Sequence, residues 1–191
     1  MPVGEKFTAK LSIPGKHNVL NALAAAAVGL LLGETPELIA QGLVSYQASG
    51  MRQNIYEQDG YHIYADCYNA SPDAMEATLS VLGGMAGDGR RFAVLGSMLE
   101  LGDYARKVIA VPVVRRRSTR TPCTLRSGCS GMVAGAREKG MEHAYAFDDQ
   151  TALVAALRED AKKGDALLFK GSRGMRMERA LAMFLGEEVE A

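Results

Sequence analysis

The 191-residue sequence predicts an α/β protein built on a mostly parallel sheet, and three observations carry that reading. Short apolar runs of strand character alternate with segments of helical periodicity. The loops that follow those runs are polar in a way core packing does not require, as ligand-bearing strand ends are. Hydrophobic residues make up 48% and charged residues 23% of the chain, with no Trp, which is the balance of a folded α/β domain rather than a disordered chain.

Taken in order, Phe7 to Ile13 alternates apolar and polar side chains and predicts a half-buried strand ended by Pro14-Gly15. Asn18 is placed to cap an alanine-rich helix running to about Leu32, with Gly33 closing it. Thr35-Pro36-Glu37 combines an N-cap, a first-turn proline and an acidic residue, so a second helix runs to about Leu43. The pattern then changes, and a boundary near Ser49-Gly50 follows. Asn54 to Gln58 and His62 to Ala65 flank Asp59-Gly60, a hairpin signal. Ser71-Pro72-Asp73 opens a helix through Leu82. Arg91 to Leu95 and Leu167 to Phe169 read as short buried strands, Thr151 to Lys162 and Met175 to Leu185 as helices.

The apolar run Val19 to Leu32 is interrupted by Asn21 and Gly29 and is too short to cross a bilayer. Met1 to Glu5 has no secretory start, which places the expected location in the cytoplasm. Three cysteines with no CxxC fit neither a disulfide framework nor a zinc site. Charge balances at 22 basic and 22 acidic residues, but unevenly: no acid lies between Asp103 and Glu138, where eight Arg and Lys residues fall.

Three strand-end loops could carry chemistry: Asp66 to Pro72, Gly96 to Gly102, and Lys170 to Met175. An Asp at a strand end can accept bonds from a ribose diol, and Lys or Arg can neutralise phosphate. Each loop alone reads equally well as structure: an Asx turn at Asp66 and Asn69, a cap at Ser71, and solvated Lys170 and Arg173.

Together and in order, these segments resemble the Mur ligases, in particular the branch that adds D-alanyl-D-alanine. Gly15-Lys16-His17-Asn18-Val19-Leu20-Asn21-Ala22-Leu23-Ala24-Ala25 is similar to that family's G-x-H-N-x-x-N-x-x-A-A segment. Met51-Arg52 matches the arginine that opens its C-terminal domain. Asp66 to Pro72 resembles D-x-Y-N-A-N-P, Gly96 to Gly102 resembles G-D-M-x-E-L-G, and Lys170 to Met175 resembles K-G-S-R-x-M. The resemblance covers nearly the whole chain outside the basic stretch.

It implies a Rossmann-like domain over about 50–191, preceded at 1–49 by the helical tail of an ATP-binding central domain. It implies ATP as cosubstrate with Asn18 and Asn21 against the nucleotide, Arg52 at its terminal phosphate, Asp66 on the ribose, and Tyr68 and Asn69 near the adenine. Lys170, Gly171, Ser172 and Arg173 would face the incoming dipeptide. The implied reaction joins D-alanyl-D-alanine to UDP-N-acetylmuramoyl-tripeptide through an acyl phosphate, in peptidoglycan precursor synthesis. Mg²⁺ would be held by residues outside this chain. His17 reads equally well as a hydrogen-bonded histidine at a helix start.

Departures from the pattern qualify it. Ser97 stands where the family carries Asp, and Ser71 where it carries Asn. No G-K-[ST] phosphate loop occurs anywhere, and Gly15-Lys16-His17 is not one, because His replaces the metal-holding hydroxyl. By resemblance that loop, the metal ligands and the sugar-binding domain precede Met1, so no catalytic or metal residue is assigned and the chain alone is expected to be inactive. Between about 106 and 130 the family has a helix with a His-Arg pair, then a strand. Here the segment carries clustered arginines, Pro112, Pro122, Cys123 and Cys129. A reading frame shifted near Arg106 and restored near Ser130 accounts for it; a natural basic loop for an acidic partner is the alternative. Rival functions are another ligase of the same superfamily, such as a folate polyglutamate ligase, or a non-catalytic nucleotide- or nucleic-acid-binding module. No membrane span and no nucleic acid partner are expected.

Overall fold

The computed structural model describes residues 6–48, 50–85, 89–99, 119–124, 130–138 and 143–188. They form two compact units, Met1–Ala48 and Ser49–Ala191.

In the first unit, α1 (Lys16–Leu31) and α2 (Pro36–Ser45) pack closely where Gly29 meets Ile39; a Cβ on Gly29 would stand 2.9 Å from Ile39 Cγ1. Thr35 caps α2, its hydroxyl accepting from Leu38 N at 3.3 Å. Asn18 does not cap α1. Gly15, at φ 115°, turns the chain into the helix three residues before the sequence reading places it. The Asn18 amide instead reaches back to Pro14 O at 2.8 Å. Nor does Phe7 to Ile13 form a strand. Ala9, Leu11 and Ile13 are partly buried and their neighbours exposed, so the alternation is real. A strand is defined by pairing, however, and this unit has no second strand among the described residues. Leu20, Leu23, Leu31 and Leu32 are all more than half exposed on α1 and its C-cap.

Among the described residues of the second unit, six strands form one sheet in the order β1-β2-β6-β3-β4-β5. β1 (Asn54–Gln58) and β2 (Tyr61–Asp66) form an antiparallel hairpin across Asp59 (φ 53°) and Gly60 (φ 85°), the left-handed pair that a tight turn demands. All other neighbours are parallel: β2 with β6 (Ala166–Lys170), β6 with β3 (Arg91–Leu95), β3 with β4 (Thr119–Thr124), and β4 with β5 (Ala144–Phe147).

Side chains alternate between the two faces, and helices cover both. Tyr64, Ala93, Leu95 and Leu168 meet α3 (Pro72–Gly84) and α4 (Ser130–Glu138) through Met75, Leu79, Leu82, Val133 and Ala136. Ile63, Phe92, Val94, Leu167 and Phe169 meet α5 (Gln150–Asp160) and α6 (Met177–Leu185) through Leu153, Leu157, Ala180, Leu181 and Phe184. The last helix begins at Met177 rather than Met175. A 3₁₀ turn at Arg173–Met175 and a left-handed Arg176 (φ 48°) come first.

β4 lies inside the basic stretch, which the sequence reading treats as irregular. Its Pro122 has no N–H to give, yet the strand occupies an interior position between β3 and β5. The remainder of that stretch, 106–118 and 125–129, lies outside the described residues, as do Glu100, Leu101 and Gly102.

Candidate functional site

The parallel registers bring three loops to one edge. Asp66 stands opposite Lys170, and Lys170 opposite Leu95, so the carboxyl ends of β2, β6 and β3 are adjacent. Gly96 N donates to Lys170 O at 2.7 Å, and Ser172 N to Ser97 O at 3.2 Å, which sews the second and third loops together. Ser172 Oγ then accepts from Leu99 N at 3.0 Å. The approach is close: a Cβ on Gly171 would lie 3.1 Å from Gly96 Cα and 2.7 Å from Met177 Cγ. Only glycine fits there.

At the centre lies a buried ion pair. Lys170, 2% exposed, donates to Asp66 Oδ2 at 2.5 Å and to Asn69 O at 2.9 Å. Thr78, on α3, has one hydroxyl hydrogen to share between Ala74 O at 2.7 Å and the same Asp66 oxygen at 3.2 Å. Asp66 Oδ1 accepts from Gln53 N at 3.3 Å. Two desolvated charges of opposite sign, each with further bonds, form the arrangement in which a buried pair is tolerable. The sequence reading of Lys170 as a residue facing a ligand did not anticipate this partner, nor Thr78 and Gln53.

Above the pair sit exposed groups. The Arg52 guanidinium lies 3.8 Å from the centre of the Tyr68 ring, and Tyr68 is 47% exposed. Asn69 turns its own Oδ1 to Ala70 N at 2.7 Å, and Ser71 caps α3 through Ala74 N at 3.4 Å. Arg173, its side chain 64% exposed, pairs with Glu178 at 3.0 Å. Gln150, on α5, donates to Met175 O at 2.8 Å and holds the end of the third loop. Beneath Tyr68, the Cys67 thiol is fully buried and pushed up to about 12, first by burial and then by the charges of Glu178 and Asp66. Burial likewise pushes the Tyr64 phenol up, with Asp66 adding to it.

Asn18 and Asn21 belong to the first unit, where Asn21 Nδ2 donates to Asn18 Oδ1 at 3.4 Å. Among the described residues no three His, Cys, Asp or Glu side chains gather as a dedicated all-protein metal site would need. No helix among them is long and apolar enough to cross a membrane.

Comparison with known proteins agrees with this geometry. Residues 51–173 match the family described as Mur ligase, glutamate ligase domain. The UDP-N-acetylmuramoyl-tripeptide--D-alanyl-D-alanine ligase of Bacillus subtilis is 35% identical over 186 residues, covering 92% of this chain and 41% of its own length. Among solved structures, MurF from Thermotoga maritima in complex with ADP superposes with a TM-score of 0.75 at 30% identity, over 95% of this chain and 41% of that one. MurF from Acinetobacter baumannii gives 0.74 at 28% identity, over 94% and 40%. The chain thus spans about two fifths of the length of these relatives. With the matched family covering most of the second unit, the first two converging loops in full and the third as far as Arg173, the chain belongs to the Mur ligase family.

Proposed function

We propose that this chain is the nucleotide- and amine-facing part of an ATP-dependent ligase that joins D-alanyl-D-alanine to UDP-N-acetylmuramoyl-tripeptide in the cytoplasm. One observation carries the reading: the loops bearing Arg52, Tyr68, Asn69 and Arg173 are bonded together at one carboxyl edge of a parallel sheet, where α/β folds bind ligands. The relatives' names supply the substrates.

ATP supplies the phosphoryl group that activates the tripeptide carboxylate before the dipeptide amine attacks it. Each residue has a role consistent with its position. The Arg52 guanidinium is exposed and cationic, suited to a terminal phosphate. Tyr68 offers a half-exposed ring for adenine, with Asn69 beside it. Asp66 Oδ1 has a single long bond, which leaves acceptor capacity for a ribose hydroxyl. The Lys170, Gly171, Ser172 and Arg173 loop faces the dipeptide, with Arg173 presenting its charge to the carboxylate end. Asn18 and Asn21 keep the nucleotide role that their motif suggests. Mg²⁺ is expected to be held by residues outside this chain, so no metal-dependent step is assigned to these side chains. Domain assignment follows the same reading: a central-domain tail over 1–49, the C-terminal domain over 50–191, and either a frame-shifted or a natural basic segment at about 106–130.

The test is a reconstitution. Purified chain with ATP, Mg²⁺, the nucleotide-linked tripeptide and D-alanyl-D-alanine should release no ADP above background. Adding the N-terminal and central domains of a related ligase in trans should yield ADP and pentapeptide product. Turnover by the chain alone at about 1 s⁻¹ or faster would overturn the division of labour. Failure of the mixture, with the partner domains shown to be folded, would count against the assignment.

A further inference from the structure

The proposed nucleotide groups, Arg52 and Tyr68, lie in different segments, and each is tied to one buried centre. Arg52 precedes Gln53, whose N–H donates to Asp66 Oδ1 at 3.3 Å. Tyr68 precedes Asn69, whose carbonyl accepts from Lys170 Nζ at 2.9 Å. Asp66 and Lys170 close the circuit at 2.5 Å, opposite each other in the β2–β6 ladder, and Thr78 fixes the same carboxylate to α3. Cys67 N donates to Met51 O at 2.8 Å, lacing the two segments once more. The Arg52–Tyr68 stack at 3.8 Å thus joins two segments tied both through the Asp66–Lys170 centre and by the Cys67–Met51 backbone bond.

We propose that Lys170 is a positioning residue: its ammonium sets the Tyr68–Asn69 loop and, through Asp66, the Arg52 segment, and it does not itself contact the dipeptide. Geometry supports this over a substrate contact. The ammonium is buried, and of its three donors two are directed at Asp66 and Asn69 O. Within the same loop, the exposed cation is Arg173. The inference rests on the proposed nucleotide site, because the loop it positions carries Tyr68 and Asn69.

Cys67 provides a readout within that loop. It is 0% exposed, with Sγ 3.4 Å from Phe169 O, so an alkylating reagent reaches it only when the loop opens. The experiment is peptide-resolved mass spectrometry of iodoacetamide labelling on the full chain, which separates Cys67 from Cys123 and Cys129. In Lys170→Met, Cys67 should react at least about tenfold faster than in the parent, since one buried partner is left unsatisfied. The rate should depend little on low urea, as for a local opening rather than global unfolding. Asp66→Asn/Lys170→Met leaves no unpaired charge and remains informative if the single variant does not fold. It should also accelerate, because the Asn69 carbonyl still lacks its donor. Parent-like labelling in the double variant, or acceleration that tracks global unfolding in both, overturns the inference.

Labelling of the parent with ADP at about 10 mM, enough to fill a site of millimolar Kd, tests the nucleotide reading separately. Protection by ADP without acceleration in the variants would keep the proposed function and remove the role of Lys170. Acceleration without protection would keep the positioning role and count against the nucleotide site.

Discussion

The two ends of the β2–β6–β3 sheet each carry a buried carboxylate, and they use it differently. At the amino end, Asp165 accepts from Arg90 N at 2.7 Å, Lys162 N at 2.8 Å and the Arg90 guanidinium at 2.8 Å. Arg90 also grips Asp160 at 2.8 Å, and Gly164 N donates to Gly60 O at 2.7 Å. These bonds close the Lys162–Asp165 turn and tie it to Arg90 and to the hairpin turn at Gly60. At the carboxyl end, Asp66 and Lys170 hold the base of loops whose outer side chains, Arg52, Tyr68 and Arg173, are exposed. A carboxylate fed mainly by backbone N–H groups closes an end. One paired with a long side chain that also reaches a loop carbonyl holds an end open for a ligand.

Substitutions can break or sharpen that contrast. The largest effect is expected at the carboxyl end. Lys170→Met strands a buried carboxylate and should cost about 3–5 kcal/mol of unfolding free energy in urea titrations; a loss comparable to a surface change would dissolve the contrast. Asp165→Ala removes bonds to a charged acceptor, but Arg90 is partly exposed and water can replace them. Its cost should be about 1.5–3 kcal/mol by the same titration, and Cys67 labelling should stay unchanged.

A pH series sharpens the comparison, because Cys67 lies at the carboxyl end. Its thiol is raised from an ordinary 9.0 to about 12 in the folded chain. The folded state therefore keeps a proton that the unfolded state loses, so this contribution is complete below the unfolded value and declines as pH rises through the window above it. Between about pH 8 and about pH 10 the loss from this group should be about 1 kcal/mol. Cys67→Ala should flatten that slope; an unchanged slope would locate the titration elsewhere. Smallest of all is Arg173→Ala. Its ion pair with Glu178 is exposed on the arginine side and water can reach the vacated place, so stability should change by no more than about 1 kcal/mol. In the reconstituted ligase, the same variant should raise KM for the dipeptide. A large stability loss with unchanged KM would make Arg173 structural.

What was legible in the sequence was what is local. Asp59-Gly60 specifies its hairpin, and Ser71-Pro72 specifies a helix start, because turn and cap chemistry needs only adjacent residues. Arg91 to Leu95 is fully apolar after its first residue, as a doubly covered strand must be. Strands without a buried apolar run or an adjacent turn signal, and alternation that finds no pairing partner, were misread or missed. Phe7 to Ile13 has the alternation but no pairing strand among the described residues of its unit. Thr119–Thr124 has the pairing despite Pro122, and Ala144–Phe147 is too short to display a period. The site divides the same way. Converging loops follow from parallel strands, but the Asp66–Lys170 bond spans 104 positions and depends on β6 inserting beside β2. One signal could have revealed it: each charge directly continues a buried apolar run, Ile63 to Ala65 and Leu167 to Phe169, where a solitary ion is costly. Gln150 gives no such signal, being a polar residue in the first turn of a helix, where polar residues are ordinary.

The central claim is that the carboxyl edge, and not the amino edge, receives the nucleotide. Backbone amide NMR of the labelled full chain during an ADP titration addresses it directly. Shift changes should cluster at Arg52, Cys67, Tyr68 and Asn69 and leave Arg90, Asp160 and Asp165 unmoved. Changes centred on Arg90 and Asp165, or none at the carboxyl edge with ADP at about 10 mM, would contradict the account.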